Sequence, residues 1–266
     1  MRILALAVAV AFVAGCASNS YAEFYNNAPG VTPEMIASGR TNPPPNEPAV
    51  ARASTFDGLA DAYTRRGYGP IGASSFSSGN NERDESAVKQ AKQVGADLVV
   101  IVDPKFSESR TTSVAMTTPT TSTSFTNGSA TAFGPLGSST AFGSATTTTY
   151  GSQTTYVPMT VNRYNYGAMY FVKRHYILGV VGRDLSDDER RRLQTNRGLV
   201  VNIVVDGTPA YLNDILPGDV LISVNDVPIV GNTDFSNQMQ QFRGQTVNLT
   251  AIRGADKITK KVSLGE

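Results

Sequence analysis

The sequence predicts an α+β protein in two folded parts, a small α/β layer followed by a small β-barrel with two helices. Three observations predict it. Residues 51–103 alternate helix-period and strand-like apolar patterns, and residues 176–266 alternate short apolar strands with two helical stretches. Between them, half of residues 111–160 are Ser or Thr, and no charge falls between Arg110 and Arg163.

The first part is assigned to residues 51–175. Phe56, Leu59, Ala60 and Tyr63 stand at helical spacing, and residues 71–76 read as extended. A second helix over 82–94 carries Ala87, Ala91 and Val94 on one face, and Gly95 sits where a C-cap glycine belongs. The apolar run Leu98-Val99-Val100-Ile101-Val102 then reads as a buried strand. Gly67-x-Gly69-x-x-Gly72 matches the dinucleotide-binding pattern in letters but not in context. That motif needs a strand before it and a helix after it, and here the order is reversed.

The insertion, about residues 111–155, reads as β structure because Thr is β-branched. Asn127-Gly128 is the strongest hairpin signal, and Phe133-Gly134-Pro135-Leu136-Gly137 offers a second turn. A meander or an extended hairpin arm both satisfy this pattern, and a disordered low-complexity segment is the bland alternative. Strands with uncharged edges invite self-association through residues 111–155. The strand-like stretch Gly167-Ala168-Met169-Tyr170-Phe171-Val172 belongs beside the strand ending at Val102.

The C-terminal part is assigned to residues 176–266. Ser186-Asp187-Asp188-Glu189 is a capping box opening a helix. Asp187 with Arg191 and Asp188 with Arg192 form i,i+4 pairs on its solvated face. A strand over 198–205, a turn at Pro217-Gly218-Asp219, a helix over 234–242 and two alternating strands complete the chain. Gly207-Thr208-Pro209-Ala210, Leu216-Pro217-Gly218-Asp219-Val220-Leu221, Val224-Asn225 and Pro228 resemble the PDZ domains of bacterial HtrA-type periplasmic proteases. The resemblance covers about residues 176–265.

It implies an extended peptide bound as an added strand, with its carboxylate held by Ile177-Leu178-Gly179-Val180. Leu178, Gly179 and Val180 are then the amide donors. Val181 is a ladder partner, and Met239 and Phe242 wall the pocket for a hydrophobic C-terminal side chain. Asp214 and Asp226 stand where the family usually has glycine, and Asp tolerates the left-handed region better than most residues.

The N-terminus reads as an export signal over residues 1–15. Arg2 precedes an apolar run of 11 residues, 3–13, too short to span a bilayer as a helix. Val13-Ala14-Gly15-Cys16 resembles the bacterial lipobox, which implies diacylglycerol and an acyl chain on Cys16. Those chains make a stable anchor in the bilayer, and no other cofactor is expected. Ala17, where the sorting rule would place Asp for inner-membrane retention, points to the outer membrane, facing the periplasm. Residues 16–50, with Pro43-Pro44-Pro45 and Pro48, read as an extended tether.

Removing Arg2 from 23 basic residues leaves 22 against 22 acidic ones, which gives nucleic acid no electrostatic footprint. Enzyme chemistry lacks its parts. His175 is the only histidine, no nucleophile elbow occurs, and no Cys/His cluster has metal-ligand spacing. The functional expectation is an anchored adaptor that captures hydrophobic C-terminal peptides of envelope proteins. The alternative is a structural envelope or surface protein whose Thr/Ser-rich segment assembles while the C-terminal domain only packs.

Overall fold

A computed structural model describes residues 19–266, with seven helices and eleven strands among them. The chain divides into two compact units. One takes in residues up to Lys105 together with Asn165–Glu266, and the other is Phe106–Tyr164.

The α/β layer is built from α1 (Ser20–Glu23), β1 (Tyr25–Asn27), α2 (Pro33–Gly39), β2 (Ala49–Ala53), α3 (Leu59–Arg65), β3 (Tyr68–Ser78) and α4 (Asp84–Gln93). Two long strands, β4 (Leu98–Gly134) and β5 (Gly137–Lys173), complete a sheet of order β1-β3-β5-β4-β2. The start of β4 is apolar throughout because both of its faces are covered. Val99 and Ile101 pack with Ala87 and Ala91 of α4, whereas Leu98, Val100 and Val102 pack with Leu59 of α3 and with Phe171. β2 runs parallel to β4, with Ala51 opposite Val100. Phe171 O accepts from Asp97 N at 2.8 Å, so the strand around Phe171 lies beside β4 as its sequence suggests.

The glycines of the nucleotide-like motif serve this layer. Gly67, at φ +84°, turns the chain from α3 into β3, and side chains at Gly69 and Gly72 would collide with Arg174 and Tyr25. Helix before, strand after is the order the sequence suggests, and it leaves no helix N-terminus for a phosphate.

The stretch expected to be a tether differs. Tyr21 is 1% exposed and meets Phe76 edge-on at 5.0 Å, and its carbonyl accepts from Ser74 Oγ at 2.6 Å. β1 pairs antiparallel with β3. The Arg40 guanidinium donates to Gly95 O at 2.6 Å and pairs with Asp97. Proline density around residue 44 suggests extension, but Tyr21, Phe24 and Tyr25 supply enough apolar surface to dock the segment. Cys16 and the signal segment lie outside the described residues.

The Phe106–Tyr164 unit is a single two-stranded ribbon. The turn falls at residues 135 and 136, and Asn127-Gly128 remains inside β4. The cross-strand register explains this. Thr111, Thr117 and Thr131 hydroxyls meet Thr160, Thr154 and Thr140 at 2.8, 3.0 and 2.9 Å, one uninterrupted pairing centred on Pro135-Leu136. A turn at Asn127-Gly128 would break that ladder, so the long pairing overrides the local signal.

The C-terminal part contains β6 (Val180–Asp184), α5 (Asp187–Leu193), β7 (Leu199–Val204), α6 (Pro209–Leu212), β8 (Val220–Val224), β9 (Val227–Pro228), α7 (Asn232–Gln241), β10 (Thr246–Arg253) and β11 (Asp256–Ser263). The strands form a sheet of order β11-β10-β8-β7-β6, with β9 on β8, so the barrel-like layer of the PDZ fold is open and not closed on itself. β6 is left as an edge. A third, four-residue helix, α6, joins the two expected ones. Leu199, Leu221, Val224, Ile229, Leu249 and Val262 make the core.

Local signals hold well here. Ser186 and Glu189 form the capping box reciprocally. The ion pairs on α5 are Asp187 with Arg190 and Asp188 with Arg191, one position short of the expected i,i+4 spacing. Both spacings place side chains side by side on the helix surface. Asp214 and Asp226 stand at φ +54° and +64°, the left-handed conformation that glycine would otherwise supply.

Candidate peptide-binding groove

The groove forms where edge strand β6 meets α7, and each of its ends is tied by a hydrogen bond. Asp184, the last residue of β6, accepts from Asn232 N at 2.7 Å and so holds the first turn of α7. Gly265 bridges the other end. Its N–H donates to Ile177 O at 2.8 Å, and its carbonyl accepts from Gly244 N just beyond α7 at 3.0 Å.

The Ile177–Val180 loop is ordered by its carbonyls. Ile177 O accepts from Gly265, Leu178 O from Ala210 N at 2.8 Å, and Gly179 O from Val205 N at 2.8 Å. With the carbonyls turned into the domain, the amides of Leu178 and Gly179 find no acceptor among the described residues. Gly179 makes the turn at φ +92°, where a side chain would also collide with Thr208.

The ladder extends the same arrangement. Because Gly179 O bonds Val205 N, the Val180–Val204 pair is the non-hydrogen-bonded kind, and the backbone groups of Val180 point away from β7. Val181 is the next pair, so its own backbone groups engage Ile203 and not an added strand. The expectation that Val181 offers ladder bonds to a ligand is therefore corrected by the alternation of the pairing.

The cavity holds about 630 Å³. Its walls include Leu178, Gly179 and Val180 on one side and Phe235, Ser236, Met239, Gln240 and Arg243 of the α7 region on the other. Met239 lies where the sequence suggests. Phe242 does not line the cavity, because it caps α7 and packs against the core with Ile177 and Ile258. Phe235, one turn before Met239 on the same helical face, takes the second wall. Its i,i+4 spacing to Met239 was the signal in the sequence that pointed to it. Arg40, Arg174, His175 and Arg243 also line the cavity, and among the described residues no carboxylate does. His175 is exposed, and its backbone N–H donates to Gly39 O at 3.0 Å.

The PDZ family model matches residues 177–264. That segment is a PDZ domain. This PDZ domain is similar to the HtrA3 PDZ domain solved with a phage-derived ligand, FGRWV, at 19% identity over 34% of this chain and 85% of that one, with a TM-score of 0.30. It is also similar to the HtrA-type protease AlgW with decapeptide, at 21% identity over 36% of each chain and a TM-score of 0.31. The serine endoprotease from Yersinia pestis matches at 18% identity over 37% of this chain and 38% of that one, with a TM-score of 0.28. The chain spans little more than a third of the length of these two proteases. No curated protein matches it.

Proposed function

We propose that this chain is a lipid-anchored envelope adaptor whose PDZ groove captures hydrophobic C-termini of other envelope proteins by strand addition. One observation carries the reading. The carbonyls of Ile177, Leu178 and Gly179 are all engaged inside the domain, which leaves the amides of Leu178 and Gly179 as unfilled donors beside an apolar wall of Phe235 and Met239. Clustered backbone amides without acceptors suit a carboxylate, and the edge strand next to them suits an extended chain. The apolar wall suits a hydrophobic final side chain.

The anchor is proposed from the lipobox-like sequence ending at Cys16, with Ala17 favouring the outer membrane. Two experiments test the reading. A library of C-terminal peptides, each as free acid and as amide, is screened against the full chain by fluorescence anisotropy. Micromolar binding of free acids ending in an apolar residue, lost in the amides and in Gly179→Pro, is expected. Absence of any binder, or binding indifferent to both changes, overturns the adaptor reading. Cys16→Ala is expected to move the protein from the membrane fraction to the soluble one.

A further inference from the structure

The two faces of the Phe106–Tyr164 ribbon differ in shape. Because side chains alternate along a strand, the Thr–Thr pairs of the ladder fix which residues share a face. Phe125 and Phe133 of β4 lie on the face of Thr117 and Thr131, and Phe142, Tyr150 and Tyr156 of β5 lie on that same face. All five rings are exposed, between 69% and 84%. The opposite face of the outer ribbon presents Thr126, Gly128, Ala130 and Ala132 from β4 and Ser139, Ala141, Gly143 and Ala145 from β5. A Cβ added at Gly128 or Gly143 would meet nothing within 4 Å, so that face is open and smooth in the outer ribbon, and further in it carries the exposed Val114, Met116, Val157 and Met159.

We propose that the ring-bearing face of one ribbon seats on the smooth face of a second copy of this chain. Aromatic side chains bury about 150–250 Å² each, so five mostly exposed rings offer roughly 600–1,000 Å². A standard interface takes about 800 Å² from each partner. No charged residue lies between Arg110 and Arg163, so identical copies bring no like charges together along this stretch. A two-stranded ribbon alone is marginal in water, and stacking supplies the packed face it lacks. Since the contact joins two different faces, a stack of any length ends in one free face of each kind, and it grows as an open series.

Sedimentation velocity of the full chain in detergent, over a range of concentrations, tests this. The wild type is expected to show a concentration-dependent series of species. The triple variant Phe125→Ser, Phe133→Ser, Phe142→Ser is expected to weaken association at least tenfold. Gly143→Arg is expected to do the same from the other face, and with no strained φ and open space above it the ribbon itself is left intact. A monomeric wild type overturns the proposal. So does association that survives Gly143→Arg, the result expected of edge pairing or of ring-to-ring contact.

Discussion

Gly179 and Thr208 are packed so closely that a Cβ on the glycine would occupy the space of the Thr208 side chain. The Thr208 hydroxyl is itself fixed, donating to Val205 O at 2.6 Å, the residue whose amide bonds Gly179 O. The loop, the end of β7 and the start of α6 therefore share one tight joint. Gly179→Ala meets both this collision and a φ of +92°. It is expected to cost about 1–3 kcal/mol in urea unfolding and to abolish peptide binding. Adding Thr208→Ala removes Oγ1 and Cγ2 but leaves the Thr208 Cβ inside the collision, and the strain remains, so the pair is expected to recover little stability.

Asp219 is buried, and it takes two hydrogen bonds from Arg253, both at 2.7 Å, and one from Leu216 N at 2.8 Å. Arg253 also donates to Asp214 O at 2.7 Å, closing the turn before β8. Breaking a buried pair costs about 3–5 kcal/mol, and the partly exposed Arg253 moves the expectation to the lower end. Asp219→Ala should lose about 3 kcal/mol by denaturant midpoint. Arg253→Lys, which cannot bond in the two-pronged way, should lose less but measurably.

Glu189 gives a pH dependence of defined sign. Hydrogen bonds from Arg183, at 2.7 and 2.8 Å, and then from Ser186 N hold its carboxyl down from 4.5 to about 2. The stabilisation is fully present above pH 4.5 and is lost as pH falls toward 2. The melting temperatures of wild type and Glu189→Gln should differ at pH 6 and converge across that window. The effect is small because the pair is partly solvated.

Tyr21 tests whether the N-terminal segment belongs to the fold. At 1% exposure, between Phe76 and the α4 core, its removal leaves a cavity. Tyr21→Ala should destabilise the α/β layer by about 3–5 kcal/mol, read by urea unfolding. A true tether would show no change.

Much of this molecule was legible in the residue order. The apolar run Leu98–Val102, the capping box at Ser186 and Glu189, the left-handed Asp214 and Asp226 and the PDZ domain all follow from local pattern, because each depends on a few neighbours. Met239 was legible for the same reason, and Phe235 beside it carried the same helical spacing.

What only the tertiary structure decided concerns long-range choices. Whether Tyr21 docks depends on Phe76 and Ser74, more than fifty residues away. Whether the chain turns at Asn127-Gly128 or at Pro135-Leu136 depends on a ladder whose energy is summed over the whole ribbon. Phe235 reaches the groove as well as the core, and Phe242 packs against the core alone, because Asp184 and Gly265 fix how α7 lies against β6. Local propensity is worth tenths of a kcal/mol per residue, and packing and cooperative pairing outweigh it wherever the two disagree.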